Sequence, residues 1–486
     1  MTTLELPSSN RALAGAAAKT GAARWWILAT VTGALSMVMV DQTVVSVALP
    51  TMEHSLGLSS NGGQWVVNAY LLLLAVLVAL GGRIADLLGA ERTFKVGGGL
   101  FVLASALCGL AQNEAMIIAS RGLQGVGAAM MVPSTGAMIV NTFGERERGK
   151  AMGIYTGVSM VFLALGPLVG GLLIQSVSWR AVFYINLPIG LAMLVAAHYT
   201  MPSRRLRRIG RGDIDWGGLP LLIGGLGALV LGLMQGQSWG WGSPVILALL
   251  AIAATLLPAF LWWETRASKP LIKLSLFRIQ NFSADSTVLA GIQFALVGAS
   301  VFGATWSQEV LGFSAIHAGV AMLPLTLPLL FVAPIAGRLY DRVGPRPLLA
   351  LGGLLIAAGL AWLGWHLPQR EYDLLIPGYT LMGIGIALIV SPGTTDALGA
   401  AAPSERSQAS GIVQTVRQIG GVIGIAVLGA IVAAVSTVSQ TASPAAHITA
   451  ATNGVAAAYW TGSGVMAVMA LLALVVVRRR PMATAR

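Results

Sequence analysis

Fourteen apolar stretches, separated by short polar segments, make up most of this 486-residue chain. Each stretch is long enough to cross a bilayer as a helix, since about 20 apolar residues span the hydrocarbon core. When the polar gaps are assigned alternately to the inside and the outside, the inside gaps and the two tails hold 26 of the 30 Lys and Arg residues. Basic residues are retained on the cytoplasmic side during insertion. The pattern therefore predicts an all-α membrane protein with fourteen spans and both termini in the cytoplasm.

The remaining basic residues also fit this topology. The outside gaps hold only Arg180 and Arg370, while Arg121 and Arg417 fall within spans. The composition, 56% hydrophobic and 10% charged, excludes a water-soluble domain, for which about 25% charged residues is typical.

The net charge of +12 raises the possibility of nucleic-acid binding, but the basic residues are spread over short segments and form no single patch. Contact with anionic lipid headgroups is the better interpretation. The single cysteine, Cys108, excludes an internal disulfide.

Two octads divide the chain into repeats. Gly82–Gly89 and Gly337–Gly344 share both glycines, the first Arg and the Asp, and each follows an outward-to-inward span. Such an echo indicates parallel repeats related by an axis along the membrane normal. The predicted order is an N-tail (1–24), a six-helix bundle (25–200), a linker with two inserted spans (201–280), a second six-helix bundle (281–477) and a C-tail (478–486). We expect the inserted pair to be peripheral to transport.

Two functional classes are excluded by missing motifs. An ATP-driven pump needs a phosphate-binding loop, and the only Gly-Lys pair, Gly149-Lys150, is followed by Ala151 where the loop requires Ser or Thr. A metalloenzyme needs clustered ligands, and the five histidines are scattered without metal-ligand spacing. We therefore expect neither an enzyme nor a metal site.

Five motifs resemble those of the major facilitator superfamily and, within it, the fourteen-span drug:proton antiporters of the EmrB/QacA type. The octads are similar to the family's G-x-L-x-D-R-x-G loop, although Leu87 and Ala90 stand where basic residues are usual in the first copy. The other matches are Asp41–Pro50, close to D-x-T-I-V-N-V-A-L-P; Arg121–Gly127, close to R-x-x-Q-G-x-G; Gly166–Gly171, similar to G-P-x-x-G-G; and Trp179–Pro188, similar to W-R-W-x-F-x-I-N-x-P.

The resemblance implies two six-helix bundles with two inserted helices in the cell membrane. It also implies a proton-coupled antiporter that exports lipophilic or cationic drugs or antibiotics by alternating access. The expected partners are a small-molecule substrate, protons and membrane lipid, with no cofactor beyond the proton gradient and no nucleic acid, and we expect a monomer. A lipid or metabolite transporter of the same superfamily is the main alternative, and a receptor without turnover is another.

Asp41 and Arg121 are charged residues inside predicted spans, and such residues are expensive in hydrocarbon and usually functional. Burial favours a protonated carboxyl group and a nearby cation favours a carboxylate, and this balance suits a group that loads and unloads protons. We predict that Asp41 carries protons with Arg121 as its cation. The alternative is a structural carboxylate that never titrates.

The loop motifs predict a gate at the cytoplasmic side. A carboxylate at a helix end can meet the positive N-terminus of a partner helix or an arginine. The resemblance implies that Arg417 pairs with Asp86 across the two halves. The gating candidates are Asp86, Arg417, Asp341, Arg342 and Arg338.

Small residues predict close helix contacts in the fifth span. Gly166 and Gly170 stand four apart, so they share a helix face on which a neighbour can approach, and Pro167 can kink the helix. The antiporter motif consists of Gly166, Pro167, Gly170 and Gly171.

Polar and aromatic residues in mid-span are candidates for the substrate cavity. An apolar cavity that offers aromatic faces and a carboxylate suits lipophilic cations. The cavity candidates are Asn68, Tyr70, Gln293, Phe294, Phe302 and Trp306. Asp285 and Asp396, near the cytoplasmic ends of their spans, are candidates for a second titratable site, with solvated interfacial carboxylates as the alternative.

Overall fold

The computed structural model describes residues 21–145, 147–201, 215–437 and 443–478. Most of the predicted N-tail, most of the C-tail and the arginine-rich segment 202–214 lie outside these residues. Within them the regular structure is helical, as hydrocarbon requires, because a helix satisfies its own backbone hydrogen bonds. Side-chain caps begin several helices: Ser59 accepts from Gly62 N, and Asn113 accepts from Met116 N.

Fourteen helices of at least 15 residues are present in the described part of the chain. They are α1 (Gly21–Leu56), α2 (Ser60–Leu88), α3 (Ala90–Gly109), α4 (Glu114–Thr142), α5 (Arg148–Ser176), α6 (Asn186–Thr200), α7 (Gly218–Trp239), α8 (Pro244–Glu264), α9 (Gln280–Glu309), α10 (Leu323–Val343), α11 (Pro345–His366), α12 (Ile376–Ala400), α13 (Arg406–Val435) and α14 (Pro444–Val476). Short helices precede α6 and α10, at Ala181–Tyr184 and Ala315–Val320. Turns of 3₁₀ helix occupy Leu274–Arg278, Leu367–Gln369, Tyr372–Leu375 and Pro403–Glu405.

By length and hydropathy, 12 helices of the described residues could cross a membrane, and 13 if the bent helix α5 counts as one span. The helix α5 bends by 45° between Arg148–Leu163 and Leu168–Ser176. The remaining long helix, α3, has Glu91, Arg92 and Lys95 in its first two turns, which lower its apolar character. The multi-pass helical architecture is therefore established, while the predicted number of fourteen spans is matched only in part.

Helix packing repeats with an offset of eight helices. In the first half α1 packs on α5 and α6, α2 on α4, and α3 on α4 and α6; in the second half α9 packs on α13 and α14, α10 on α12, and α11 on α12 and α14. Contacts between the halves follow the same rule, since α5 packs on α10 and α13 packs on α2. The octad echo thus corresponds to a repeated three-dimensional arrangement.

The last glycine of each octad makes the turn between two helices. Gly89, between α2 and α3, has φ 97°, and Gly344, between α10 and α11, has φ 78°. Positive φ is unfavourable for residues with a Cβ, so glycine is the residue that allows the chain to reverse here within one residue. Asp86 and Asp341 consequently lie in the last turns of α2 and α10.

The pair α7–α8 lies against the seam between the halves. Helix α7 contacts α2 and α13, whereas α8 packs on α7. Leu222 and Leu226 of α7 and Phe260 of α8 form a buried apolar cluster with Val76 of α2. This pair matches neither half in the repeated packing, as expected for an insertion.

Candidate functional site

A buried ion pair forms the centre of the first half. Asp41 of α1 is 0% exposed and Arg121 of α4 is 1% exposed, and Arg121 Nη1 lies 2.6 Å from Asp41 Oδ2. Arg121 Nε also donates to the carbonyl oxygen of Val66 at 2.9 Å. The guanidinium stacks over the ring of Tyr70, with 4.4 Å from Cζ to the ring centroid. The predicted pairing of Asp41 with Arg121 is present.

Three further side chains complete this cluster. Gln124 Nε2 donates to Asp41 Oδ1 at 2.8 Å and to Ser105 Oγ at 2.9 Å, and its Oε1 accepts from Arg121 at 2.6 Å. Asn186 of α6 donates to Asp41 Oδ1 at 3.0 Å. Asp41 therefore accepts three hydrogen bonds from donors on two other helices. A proton on Oδ2 would occupy the position to which Arg121 donates.

Gln124 and Asn186 belong to the sequence motifs Arg121–Gly127 and Trp179–Pro188, but neither was assigned a role from the sequence, and Ser105 was not identified. A signal for Gln124 was available, because residues three apart lie on the same helix face and Gln124 follows Arg121 by three. Asn186 and Ser105 lie on other helices, and their spacing gives no indication that they meet Asp41.

The antiporter motif packs against α1 beside Asp41. A Cβ at Gly170 would lie 2.8 Å from Val44 Cγ2, and one at Gly166 would collide with Thr43 Oγ1. Thr43 also donates to the carbonyl oxygen of Leu163 of α5 at 3.1 Å. Gly171 is partly buried, and the side chain of Pro167 is outside the described structure. The motif thus sets the distance between α5 and the segment of α1 that carries Asp41.

Asp86 and Asp341 hold helices of the opposite half. Asp86 Oδ1 and Oδ2 accept from the backbone N–H groups of Ser407 and Gln408 at 3.1 and 2.9 Å, at the start of α13. Asp341 Oδ1 and Oδ2 accept from Gly149 and Lys150 at 3.0 and 3.2 Å, at the start of α5. In each case the bonded N–H groups belong to the second and third residues of the helix, and these are the groups that an N-cap side chain normally binds. Each half therefore caps a helix of the other.

The residues that precede α13 and α5 leave these positions open. Glu405 and Glu147 occupy the N-cap positions of α13 and α5 but make no side-chain cap hydrogen bond. Each forms an ion pair instead, Glu405 with Lys273 and Glu147 with Arg24. We call the two trans-capping contacts the first latch (Asp86 on α13) and the second latch (Asp341 on α5). Arg406 Nη1 donates to Asn141 Oδ1 at 2.6 Å, and Arg148 Nε donates to the carbonyl oxygen of Val140 at 2.9 Å. The starts of α13 and α5 therefore both meet the end of α4, and the two latches hold the halves together at the same end of the molecule.

The predicted partner of Asp86 was wrong in this conformation. Arg417 does not pair with Asp86, because it lies nearly three turns along α13 from the backbone groups that Asp86 binds. Its guanidinium instead donates to Gln414 and Gln293. Arg338 and Arg342 are exposed on α10 and make no ion pair within the described residues. The aspartate of each octad therefore binds a helix N-terminus and not an arginine.

A cavity of about 150 Å³ lies between the halves. Its wall combines residues of α1, α2, α4 and α5 with residues of α9, α12 and α13. Among the six residues predicted to line it, Gln293 is on the wall. Arg417 also lines it, partly exposed.

The other five predicted cavity residues lie elsewhere. Asn68 donates to Gln235 of α7 at 3.3 Å, and Tyr70 is buried against Arg121. Phe294 and Phe302 pack in apolar clusters within the second half. Trp306 Nε1 donates to Thr452 Oγ1 at 3.0 Å in a buried position. These side chains fill helix interfaces, so the prediction that they line the cavity was wrong for this conformation.

Asp41 lies between two spaces without lining either. Its neighbour Gln42 is on the wall of the central cavity. On the opposite side, Val40 and Asn186 line a largely apolar cavity of about 620 Å³ between α1, α5 and α6. The ion pair is thus one residue away from the central cavity.

Asp285 and Asp396 are both 0% exposed in the second half. Asp396 Oδ1 accepts from Tyr340 Oη and its Oδ2 from Asn281 Nδ2, each at 2.9 Å. Asp285 follows Asn281 by one turn of α9. Burial excludes the alternative of solvated interfacial carboxylates, and the role of the two groups stays a prediction.

Comparison with known proteins gives consistent results. Residues 31–217 and 216–425 each match the sequence model of the family described as the Major Facilitator Superfamily. The tetracenomycin C resistance and export protein of Streptomyces glaucescens is 37% identical over 414 residues, 84% of this chain and 76% of that protein. The puromycin resistance protein of Streptomyces alboniger is 36% identical over 465 residues, 94% of this chain and 92% of that protein. The multidrug resistance protein Stp of Mycobacterium tuberculosis (strain CDC 1551 / Oshkosh) is 36% identical over 405 residues, 82% of this chain and 74% of that protein.

Solved structures share the fold at low sequence identity. The human organic anion transporter MFSD10 superposes with a TM-score of 0.66 at 15% identity, covering 93% of this chain and 99% of that one. The proton:xylose symporter XylE superposes with a TM-score of 0.65 at 16% identity, covering 93% and 95%. These two similarities concern the fold alone.

Proposed function

Because the chain belongs to the major facilitator superfamily, and is thus a multi-pass membrane transporter and not an enzyme, we propose that it exports drugs or antibiotics in exchange for protons. The observation that carries the proposal is the similarity to resistance and export proteins at 36–37% identity over 82–94% of this chain. A cavity shared by the two halves, closed at one end by two latches, is the geometry that alternating access requires.

The proposed topology has fourteen spans with both termini in the cytoplasm. It counts α3 and α5 as spans and divides the chain into bundles at 25–200 and 281–477, with α7 and α8 inserted between them. The distribution of Lys and Arg supports this orientation, and the packing offset of eight helices supports the division. In this topology the latched end faces the cytoplasm, so the described conformation is closed on the inside.

Asp41 is the proposed proton carrier. Its ionised form is held by Arg121, Gln124 and Asn186, and a proton on Oδ2 displaces the Arg121 hydrogen bond. Proton binding and ion pairing therefore compete for one oxygen. Because these partners belong to α4 and α6, protonation weakens contacts between α1 and the rest of the first half, and α1 also lines the cavity at Gln42. This is a direct route from proton binding to the cavity wall.

The two latches are the proposed inner gate. Charged hydrogen bonds are worth about 1.5–3 kcal/mol each, so release of one latch shifts an inward/outward equilibrium by about ten-fold or more. The chain works as a monomer in this proposal, since each element of the gate comes from the same polypeptide.

The test is uptake into inside-out vesicles with an imposed pH gradient. The panel contains tetracenomycin C, puromycin, a phospholipid and a sugar, and the controls are vesicles without the protein and vesicles with the gradient collapsed by an uncoupler. The proposal expects gradient-dependent uptake of at least one drug. Uptake of the lipid or the sugar alone would instead favour a specific lipid or metabolite transporter, and no uptake of any compound would overturn export.

A further inference from the structure

Among the residues that the structure describes, the wall of the central cavity carries one charged side chain. The wall of 22 residues includes Arg417, and it includes no Asp or Glu. Its other polar groups are neutral amides and hydroxyls, among them Gln42, Gln293 and Tyr155. The expectation of cationic substrates depended on a carboxylate in this cavity, and the nearest candidate, Asp41, is turned away from it and neutralised by Arg121.

The partners of Arg417 are all neutral. Nη1 donates to Gln414 Oε1 at 3.2 Å and Nη2 to Gln293 Oε1 at 3.3 Å. Within the described chain no carboxylate lies within 4.0 Å of the guanidinium. Both hydrogen bonds are long for a charged donor, which normally binds at about 2.7–2.9 Å.

Arg417 differs from Arg121 in that no carboxylate compensates its charge. Both arginines lie within apolar helices, where an uncompensated charge is costly. Arg121 is compensated by a carboxylate at 2.6 Å and is almost completely buried, whereas Arg417 keeps exposure to the cavity. Removing one partner of a buried pair is costly because it leaves the other charge without compensation. Arg417 likewise has no compensating charge among the described residues until an anion enters the cavity.

We propose that Arg417 binds the anionic group of the substrate, and that the cavity selects aromatic acids with a carboxylate or phenolate. This inference rests on the proposed export function and names the substrate class of the same cavity. Guanidinium groups match carboxylates with two parallel hydrogen bonds, which a neutral amide cannot reproduce. The amides of Gln293 and Gln414 hold the guanidinium in place without satisfying its charge.

The remaining wall suits the apolar part of such a molecule. Leu35, Val38 and Val78 lie on the wall with Met39 and Met152, whose flexible side chains adapt to different shapes. A cavity of about 150 Å³ is large enough to hold a single benzene ring. One aromatic ring with one acidic substituent therefore matches the apolar wall and the cation, and it is the smallest probe of the proposed substrate class.

The experiment uses three probes with the same ring, benzoate, benzamide and benzamidine, which carry one negative charge, no charge and one positive charge. Binding of each radiolabelled probe to the full-length protein in nanodiscs is measured by equilibrium dialysis at pH 7. We expect benzoate to bind about ten-fold more tightly than benzamide, because a charged hydrogen bond is worth at least that factor. Benzamidine should bind most weakly. A wild-type preference for benzamidine would overturn the proposal.

Three variants separate charge from structure. Arg417→Gln should reduce the preference for benzoate over benzamide to less than about two-fold while benzamide binding persists, since only the charged contact is lost. Arg417→Lys should retain part of the preference. The matched control is Arg266→Gln, because Arg266 is exposed, lies over the Trp262 ring and is outside the cavity; it should leave the preference intact. Unchanged benzoate selectivity in Arg417→Gln would refute the assignment.

Vesicle uptake and benzoate binding together separate the anion site from the export function. Drug uptake in vesicles that is equal in wild type and Arg417→Gln, combined with no benzoate preference, would leave export in place and remove the anion site. Benzoate binding that depends on Arg417, without gradient-driven uptake of any compound, would leave the anion site and remove export.

Discussion

The two halves of the molecule place different chemistry between equivalent helices. In the first half, α1, α4 and α6 enclose Asp41, Arg121 and Asn186 in a buried charged cluster. In the second half, the equivalent helices α9, α12 and α14 enclose Trp306, Tyr379 and their neighbours. One packing scheme thus surrounds an ion pair on one side and neutral aromatic rings on the other.

The aromatic cluster is built from neutral hydrogen bonds. Trp306 donates to Thr452, and the hydroxyl groups of Tyr379 and Tyr459 lie 3.5 Å apart. Gly303 leaves room for both rings, since a Cβ there would lie 2.5 Å from Tyr459 Oη and 2.8 Å from Tyr379 Oη. None of these groups changes charge near neutral pH, so the cluster provides shape and rigidity.

In the proposed function, this difference separates two tasks of a proton-coupled exporter. A group that gains and loses a proton needs a counter-ion inside the membrane, and Asp41 and Arg121 of the first half are the residues proposed for these roles. The second half supplies a fixed cation, Arg417, on the cavity wall. The repeated fold therefore accommodates a buried ion pair in one half and a neutral aromatic cluster in the other within the same packing scheme.

The strongest test of this comparison is Asp41→Asn, which keeps the shape of the side chain but cannot ionise. We expect gradient-driven drug uptake in inside-out vesicles to fall to the level of vesicles without the protein. The matched control is Asp396→Asn, the same change at a buried carboxylate of the second half. It should retain most of the uptake. Loss of uptake in the control would identify Asp396 as a second proton site, and full activity of Asp41→Asn would overturn the assignment of Asp41.

The next effect concerns stability. Arg121→Gln leaves Asp41 buried without its cation, and breaking a buried pair in this way costs about 3–5 kcal/mol. Tyr459→Phe removes a neutral hydroxyl of the aromatic cluster and should cost about 0.5–1.5 kcal/mol. Apparent melting temperatures in detergent should rank accordingly. The double variant Asp41→Asn/Arg121→Gln should melt above Arg121→Gln alone, and equal losses in Arg121→Gln and Tyr459→Phe would contradict the contrast between the halves.

A smaller difference is expected between the two latches. Gln408, whose backbone binds Asp86, also donates its side chain to the carbonyl oxygen of Leu271, so the start of α13 has a second attachment. The corresponding residue of the second latch, Lys150, places its ammonium over the Trp25 ring within its own half. We therefore expect Asp341→Asn to change the inward/outward ratio by about ten-fold and Asp86→Asn by less.

The measurement for the latches is maleimide labelling from each side of the membrane at a cysteine placed on the cavity wall, Thr394→Cys, with Cys108→Ala as background. Equal labelling ratios for both variants and the parent would mean that the latches do not gate. A larger effect of Asp86→Asn would make the first latch dominant.

The smallest effect is expected outside both halves. Gln235→Leu in α7 removes the hydrogen bond to Asn68 and should lower stability by about 0.5–1.5 kcal/mol without changing the uptake rate by more than about two-fold. No described side chain of α7 or α8 lies on the wall of the cavity, so substrate contacts should be retained. Asn68→Leu serves as the control from the opposite side of the same bond. A loss of uptake greater than ten-fold in Gln235→Leu would show that the inserted pair takes part in transport.

The ion pair could be predicted because charges inside apolar spans are rare. Asp41 and Arg121 stand out in the sequence for that reason, and their mutual compensation follows from the cost of burying either alone. The loop octads likewise predicted the repeat, since the same turn chemistry appears twice. The trans-capping contacts were available in principle, because a carboxylate at a helix end favours a positive helix N-terminus over a distant arginine.

The cavity could not be predicted from the sequence for a physical reason. In a soluble protein, apolar residues mark the buried helix face, but in a membrane both lipid and helix interfaces are apolar. Phe294 in the packed interior and Leu35 on the cavity wall therefore carry the same sequence signal. Asn68 shows the converse, since its polar side chain meets an inserted helix whose position no periodicity specifies.

The exchange of helix caps between the halves has a consequence for hydration. In the closed state the carboxylates of Asp86 and Asp341 bind four backbone N–H groups, two at the start of each helix. When the halves separate, those four groups and both carboxylates must bind water instead. In the proposed gating cycle, opening is a water-uptake reaction, and solutes that are excluded from the crevice, such as large polyethylene glycols, draw the equilibrium toward the latched state by osmotic stress. In that cycle the turnover rate depends on the water activity at the latched end of the molecule.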